Sequence, residues 1–193
     1  SKDVQIVILG NSKGSREIAE EVNADYIPNI RCSPKGTPYA SDLFIQAEKI
    51  AAFPIMTFIN ADIILPKNFV QQVQHVSKRM NKFLIIGHRW DMNINDSLDF
   101  QSDSFNNEFW DTVPKKGELH GPSGIDYFVF NKGLWKTIPD FIIGRPGFDN
   151  WLIWKARRRR IPVIDATDSI KVVHQNHHFN FHNLKKDPKI HPE

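Results

Sequence analysis

The chain has 193 residues, a formal net charge of +3 and a single cysteine. This length suits one domain with a sizeable core, so we expect residues 1–193 to fold as one unit. The small net charge disfavours nucleic-acid binding, lone Cys32 excludes an intrachain disulfide or a cysteine-based zinc site, and no apolar run reaches the ~20 residues that span a bilayer. We therefore expect a soluble, cytoplasmic protein without a transmembrane segment.

Apolar runs and helical periods alternate along the first half of the chain. Strands are predicted at residues 4–9, 25–28, 55–59 and 83–87, and helices at residues 15–22, 42–52 and 68–79. The strand-helix-strand order at the start favours parallel pairing, and the almost wholly apolar strands favour cover on both faces. We predict an α/β fold with a mostly parallel central sheet built from residues 4–9, 55–59, 83–86 and 127–130, and with helices on both faces.

Two polar side chains follow the most apolar strand. Asn60 and Asp62 come directly after residues 55–59, and open α/β sheets bind ligands at the carboxyl ends of their strands. Both residue types also build turns, so a turn is the alternative interpretation. The pair indicates a functional site only together with the motifs that lie downstream.

Three later segments contain polar residues in apolar or irregular surroundings. Residues 88–120 show few clean periods and are either a binding loop or an ordinary surface excursion. Asp126 lies near the start of an apolar strand, where a buried carboxylate needs a partner such as a substrate hydroxyl or a backbone turn. Asp149 begins a predicted helix, where it is either a functional carboxylate or an N-terminal cap.

The last segment is rich in histidine. A predicted strand at residues 170–173 leads into His174, His177, His178 and His182. A neutral imidazole is a good ligand for a divalent ion, and Asp62 can supply an oxygen ligand opposite it. A solvated histidine-rich tail is the alternative.

The order of these motifs resembles that of the GT-A fold glycosyltransferases, the class that uses nucleotide-sugar donors. Residues 60–62 (N-A-D) resemble the D-x-D motif, residues 124–126 (G-I-D) the acceptor-side strand, residues 147–150 (G-F-D-N) the segment with the catalytic base, and residues 172–174 (V-V-H) the strand-ending histidine. Residues 4–27 resemble the second strand-helix-strand unit of that fold, so the resemblance implies that its first strand and helix are missing from this chain.

The resemblance implies metal-assisted, inverting transfer of a sugar from a nucleoside-diphosphate donor to a carbohydrate or other hydroxyl acceptor. Asp62 and His174, with His177 in reserve, would bind Mn²⁺ or Mg²⁺. Asn60, Arg31 and Lys35 would contact the donor, the last two at its phosphates. Asp149 would be the general base. The acceptor side would comprise Gly124, Asp126, Asn150 and Trp151.

Two other functions stay open at this stage. A nucleotidyltransferase uses a related α/β sheet and a metal, although it typically has a glycine-rich basic loop after its first strand, which this sequence lacks. A non-catalytic sugar-binding domain is the second alternative, because Asn60 replaces the first carboxylate of the D-x-D motif and lowers the charge facing a metal and a diphosphate.

Overall fold

The computed structural model describes residues 4–176, apart from the side chain of Asn106. These residues form ten strands, five α-helices and one π-helical segment in a mixed α/β arrangement. The strands are β1 (Val7–Leu9), β2 (Asp25–Ile27), β3 (Ile55–Ile59), β4 (Ile63–Ile64), β5 (Leu84–Ile86), β6 (Arg89–Met92), β7 (Glu118–Leu119), β8 (Tyr127–Asn131), β9 (Val163–Asp165) and β10 (Val172–Gln175). The helices are α1 (Ser15–Glu21), α2 (Ala40–Ile50), α3 (Phe69–Ser77), α4 (Trp110–Lys116) and α5 (Phe148–Arg158), and the π-helical segment is Ser104–Phe109.

The first four-stranded sheet has the order β3-β8-β5-β9. Strand β8 lies antiparallel between β3 and β5, whereas β5 and β9 are parallel. The prediction of a mostly parallel central sheet is therefore wrong, and β3 lies at the edge of this sheet rather than at its centre. An apolar pattern predicts that a strand is buried, but it does not predict the direction of the strand. Strand β8 runs opposite to both of its neighbours, β3 and β5.

Helices cover both faces of this sheet, as expected from its apolar strands. Alternate residues of β8 point to opposite sides, so that Phe128 and Phe130 pack with α2 and α5, whereas Tyr127 and Val129 pack with α3. Each of these four residues is at most 1% exposed. Strand β8 is thus the centre of the core on both sides.

The second four-stranded sheet has the order β4-β10-β6-β7. Strands β6 and β10 are parallel, and β4 and β7 pair antiparallel with them. The π-helical segment and α4 cover this sheet through a separate apolar cluster that includes Phe105, Phe109 and Val113. The segment 88–120, which lacked clean periods, is therefore an ordered part of the fold.

Strands β1 and β2 form a separate parallel pair. The side chain of Gln5 links this pair to the end of α2, because its amide donates to the Ile50 carbonyl and its carbonyl accepts from the Ala52 N–H. The loops that follow β1 and β2 lie at the same end of the pair, since the two strands are parallel. Both loops therefore border one space beside α2.

Candidate functional site

The antiparallel pairing of β3 and β8 places Asn60 beside Asp126. Ile59 pairs with Tyr127, and the Asn60 backbone N–H donates to the Asp126 carbonyl at 3.2 Å. Asn60 follows its strand and Asp126 precedes its own, so both side chains lie at one end of the sheet. The pairing therefore joins two residues that are 66 positions apart in the sequence.

The Asp126 carboxylate is buried and accepts hydrogen bonds on both oxygens. The Asn60 side-chain amide donates to Oδ1 at 2.7 Å, and a terminal guanidinium nitrogen of Arg89 donates to Oδ2 at 2.5 Å. Burial works to lower the pKa of Arg89, but its bonds to Asp126 and Asp91 outweigh burial and raise that pKa above its usual value. Hydrogen bonds on both oxygens offset the cost of burying this charge.

Arg89 extends the network to Asp91, two residues along β6. Its Nε donates to Asp91 Oδ1 at 2.8 Å, and Asp91 Oδ2 contacts Nδ1 of His120 at 2.5 Å. Burial works to raise the pKa of Asp91, but the hydrogen bond from His120 and the charge of Arg89 hold it below its usual range. Asp91 is therefore a carboxylate that stays ionised at neutral pH.

The second sheet brings His174 to the same carboxylate. His174 is the register partner of Asp91 in the parallel pairing of β6 and β10, and its Nδ1 lies 3.1 Å from Asp91 Oδ1. Its other ring nitrogen, Nε2, lies 3.3 Å from Oδ2 of Asp62. The imidazole of His174 thus lies between the carboxylates of Asp91 and Asp62.

The separation of Asp62 and His174 suits two ligands of one divalent ion. Oxygen ligands of Mg²⁺ lie ~2.0–2.1 Å from the ion, so neighbouring donors of an octahedral shell are about 3 Å apart. The observed 3.3 Å between Nε2 and Oδ2 is close to this spacing. No cluster of three or more His, Cys, Asp or Glu side chains within residues 4–176 is arranged to hold a metal. Asp62 Oδ2 and His174 Nε2 are therefore the two side-chain atoms that would hold such an ion.

Helix α5 begins close to the end of β3. The ring of Phe148 packs at 5.5 Å from Phe58 and 6.0 Å from Phe128, each two positions from Asn60 or Asp126. Asp149 is the second residue of the helix rather than its cap. Its Oδ1 accepts from two backbone N–H groups, those of Gly147 at 3.2 Å and Asn150 at 2.8 Å. These bonds leave Oδ2 available for a proton.

The other predicted acceptor residues differ in their surroundings. Asn150 is exposed on the first turn of α5. Trp151 is partly buried and packs against Trp135 and Phe141, with ring centroids 6.3 and 5.9 Å apart. Gly124 is buried beside the ring of His120, where a Cβ would overlap the imidazole. Packing is thus the observed role of Trp151 and Gly124.

A cavity of about 540 Å³ lies at the ends of β1 and β2. It is lined by the two loops that follow these strands and by α2, with Asn11, Asn29, Arg31, Asp42 and Gln46 among the polar residues. A volume of this size is typical of small-molecule and cofactor sites. The ends of parallel strands are also the common ligand position in α/β proteins.

Arg31 reaches this cavity but already holds a carboxylate. Its guanidinium forms a two-pronged ion pair with Asp140 at 2.7 and 2.5 Å and lies over the Tyr39 ring at 4.7 Å. The hydrogen bonds from Arg31 and Ser41 lower the pKa of Asp140 to about 2. Lys35 lies in the tight loop that Ser33 and Thr37 close through a backbone hydrogen bond. A phosphate group at Arg31 would have to compete with Asp140.

The structure thus connects four of the predicted site residues through two that the sequence interpretation missed. Asn60, Asp62, Asp126 and His174 are joined by contacts through Arg89 and Asp91, and a third missed residue, His120, contacts Asp91. The missed signal was the alternation R-W-D-M at residues 89–92, which is typical of a strand with one polar face. His177 lies outside the described residues.

The sequence matches no protein-family model and none of the curated proteins with which it was compared. Within residues 4–176, no helix combines the length and apolar character that crossing a bilayer requires. Any function is therefore argued from the geometry of the site.

Proposed function

We propose that this chain is a metal-assisted glycosyltransferase that moves a sugar from a nucleoside-diphosphate donor to a hydroxyl acceptor. The observation that carries the proposal is the pair formed by Asp62 Oδ2 and His174 Nε2, which lie 3.3 Å apart where β10 pairs with β4. An oxygen and an imidazole nitrogen at this spacing suit Mn²⁺ or Mg²⁺. When bound, such an ion neutralises the negative charge that develops on a departing diphosphate.

The roles of the protein groups follow from their contacts. Asp91 Oδ1 lies 3.1 Å from Nδ1 of His174, while Nε2 of the same ring faces Asp62. The cavity beyond β1 and β2 suits a nucleotide by its volume and by its position at strand ends. Arg89 holds the Asp126 carboxylate in place at the end of β8. The site in this interpretation is a rigid polar network rather than a set of independent side chains.

Asp149 is the proposed proton acceptor for the incoming hydroxyl. Its Oδ1 is fixed by two backbone N–H groups at the start of α5, which orients Oδ2 without neutralising it. In an inverting transfer the acceptor oxygen attacks the anomeric carbon, the bond to the diphosphate breaks, and the hydroxyl proton passes to Asp149. The packing of Phe148 on Phe58 and Phe128 supports this role, since it holds the helix start at the site end of the sheet.

A non-catalytic sugar-binding domain is the second candidate. The amide of Asn60 is committed to Asp126, and Arg89 is shared between Asp126 and Asp91, so these groups satisfy one another. Such mutual pairing suits a stable binding surface as well as an active site. A nucleotidyltransferase receives no support from a particular contact.

The test is manganese binding followed by donor turnover. Calorimetry should detect Mn²⁺ binding by the wild-type chain, and the Asp62→Ala/His174→Ala variant should bind at least ~10-fold more weakly, because it lacks both ligands. His75→Ala is the matched control, since His75 is exposed on α3. Equal affinity in the wild type and the double variant would remove the metal from the proposal.

A panel of nucleotide sugars with Mn²⁺ then separates enzyme from binding domain. Release of the nucleoside diphosphate by the wild type, and its loss in the double variant, supports the transferase. Binding of a nucleotide sugar without turnover would support the sugar-binding domain instead.

A further inference from the structure

His120 lies between a carboxylate and a serine hydroxyl. Its Nδ1 is 2.5 Å from Asp91 Oδ2, and its Nε2 is 3.5 Å from the hydroxyl oxygen of Ser123. The imidazole is about one-third exposed, and Ser123 is exposed. This is the order of groups by which a serine is activated: a carboxylate, an imidazole oriented by it, and a hydroxyl at the far ring nitrogen.

The backbone holds this arrangement in place on both sides of His120. The His120 N–H donates to the Arg89 carbonyl at 2.9 Å, and the Arg89 N–H donates to the Gly124 carbonyl at 3.0 Å. A further bond from the Gly124 N–H to the Gly121 carbonyl at 2.9 Å closes the turn that presents Ser123. The turn is therefore fixed to strand β6, which also carries Asp91.

Gly124 makes room for the imidazole. A Cβ at this position would overlap the ring and Cβ atoms of His120. Any side chain at residue 124 would push the imidazole away from its position between Asp91 and Ser123. The sequence thus provides the space that the arrangement needs.

We propose that Asp91, His120 and Ser123 form a serine-activating triad that reacts with acyl esters. Ser123 is the nucleophile, His120 accepts its proton at Nε2, and Asp91 holds the imidazole in the tautomer with a proton on Nδ1. The 3.5 Å separation of Nε2 and the hydroxyl oxygen is longer than the ~2.6–3.2 Å of a reacting pair, and such pairs are often looser without substrate. Because Ser123 is exposed, an ester carried by a larger molecule can reach it.

The proposed reaction is a two-step hydrolysis. The Ser123 oxygen bonds to the acyl carbon, its proton passes to His120, and the bond to the alcohol breaks as His120 returns the proton to the leaving oxygen. The oxygen of a water molecule then bonds to the acyl carbon as His120 takes a proton from that water. The bond between the acyl carbon and the Ser123 oxygen breaks, His120 returns the proton to Ser123, and the carboxylic acid leaves. Neither step uses a nucleotide sugar or a metal ion, so the reaction can be tested apart from the proposed transferase, with which it shares the Asp91 carboxylate.

A fluorophosphonate ester tests the nucleophile directly. Attack by an activated serine forms a bond from oxygen to phosphorus and releases fluoride, and intact-mass measurement detects the adduct. The full chain in EDTA should gain one adduct, which peptide mapping should place on Ser123. The Ser123→Ala variant should gain none, and His120→Gln should react ~10²–10⁴-fold more slowly, the range of general-base contributions.

Ser104→Ala is the matched control. Ser104 is also exposed, but its hydroxyl donates to the Glu108 carboxylate at 3.0 Å and has no imidazole partner in the described part of the chain. This variant should react at the wild-type rate. Circular dichroism of each variant checks that the fold is retained.

Three outcomes would overturn the proposal. They are a wild-type chain that gains no adduct, an adduct that persists in Ser123→Ala, and a folded His120→Gln variant that reacts as fast as the wild type. In each of these cases Ser123 would be an ordinary surface hydroxyl beside an imidazole.

Discussion

The side chain of Asn60 supplies a hydrogen-bond donor to the carboxylate beside it. Its amide donates to Oδ1 of Asp126 at 2.7 Å, and an aspartate at position 60 could not make this bond. We predict that Asn60→Asp, which restores a D-x-D motif, destabilises the protein. Loss of a hydrogen bond to a charged group costs about 1.5–3 kcal/mol. Repulsion between the two carboxylates adds to this, so we expect a total of about 3 kcal/mol.

Urea unfolding at pH 7 in EDTA measures this effect. A loss of about 3 kcal/mol corresponds to a melting temperature lower by roughly 6–12 °C for a chain of this size. Asn60→Ala should lose only about 1.5–3 kcal/mol, since it removes the donor without adding a charge. The deficit of Asn60→Asp should shrink as the pH falls, because one of the two carboxyl groups then takes up a proton.

The exchange variant Asn60→Asp/Asp126→Asn gives the sharpest comparison. It has the net charge of the wild type, and its amide at position 126 can donate to the carboxylate at position 60. We expect it to regain about 2 kcal/mol over Asn60→Asp alone. The reasoning is refuted if Asn60→Asp is as stable as the wild type, or if the exchange recovers nothing.

Three further predictions concern single groups. Asp149→Asn keeps an oxygen that can accept both backbone hydrogen bonds but loses the proton acceptor. Sugar transfer should therefore fall ~10²–10⁴-fold with little change in melting temperature. A wild-type rate would reduce Asp149 to a structural role. The pKa of Asp140 is about 2, against 3.8 for the free group, so the stability that its bonds with Arg31 and Ser41 contribute is complete above pH ~4 and is lost as the pH falls toward 2. Melting scans should therefore show a smaller acid loss in Asp140→Asn than in the wild type, and equal losses would contradict the assignment. The buried Tyr127 hydroxyl has no hydrogen-bond partner among the described residues. Tyr127→Phe should therefore raise the melting temperature by ~2–4 °C. A lower melting temperature in this variant would reveal a partner for the hydroxyl.

The sequence predicted the elements whose signals are local. The periodic segments became helices α1, α2, α3 and α5, and the apolar runs became strands, with bounds that shifted by a few residues. The direction of β8 could not be predicted, because it depends on pairing with β3 across more than sixty positions. Local patterns contain no information about such pairing.

The sequence predicted those site residues that directly follow an apolar run. Asp62 and His174 were expected to meet, and their side chains are indeed neighbours. Asp91 and His120 were missed because they lie in the segment 88–120, where strand β6 is short and the helices are irregular. Their importance depends on a register that pairs Asp91 with His174, and register is set by the whole sheet.

The position of β10 has a consequence for folding during synthesis. This strand is the last of those described, yet it lies inside the second sheet, between β4 and β6. Until β10 leaves the ribosome, β4 and β6 lack the partner that joins them, and each has an open edge that can pair with another chain. His174 arrives with the same strand, so a nascent chain cannot assemble the Asp62–His174–Asp91 contacts before the sheet closes. A ligand of that site can therefore stabilise only the finished fold and cannot guide its early steps.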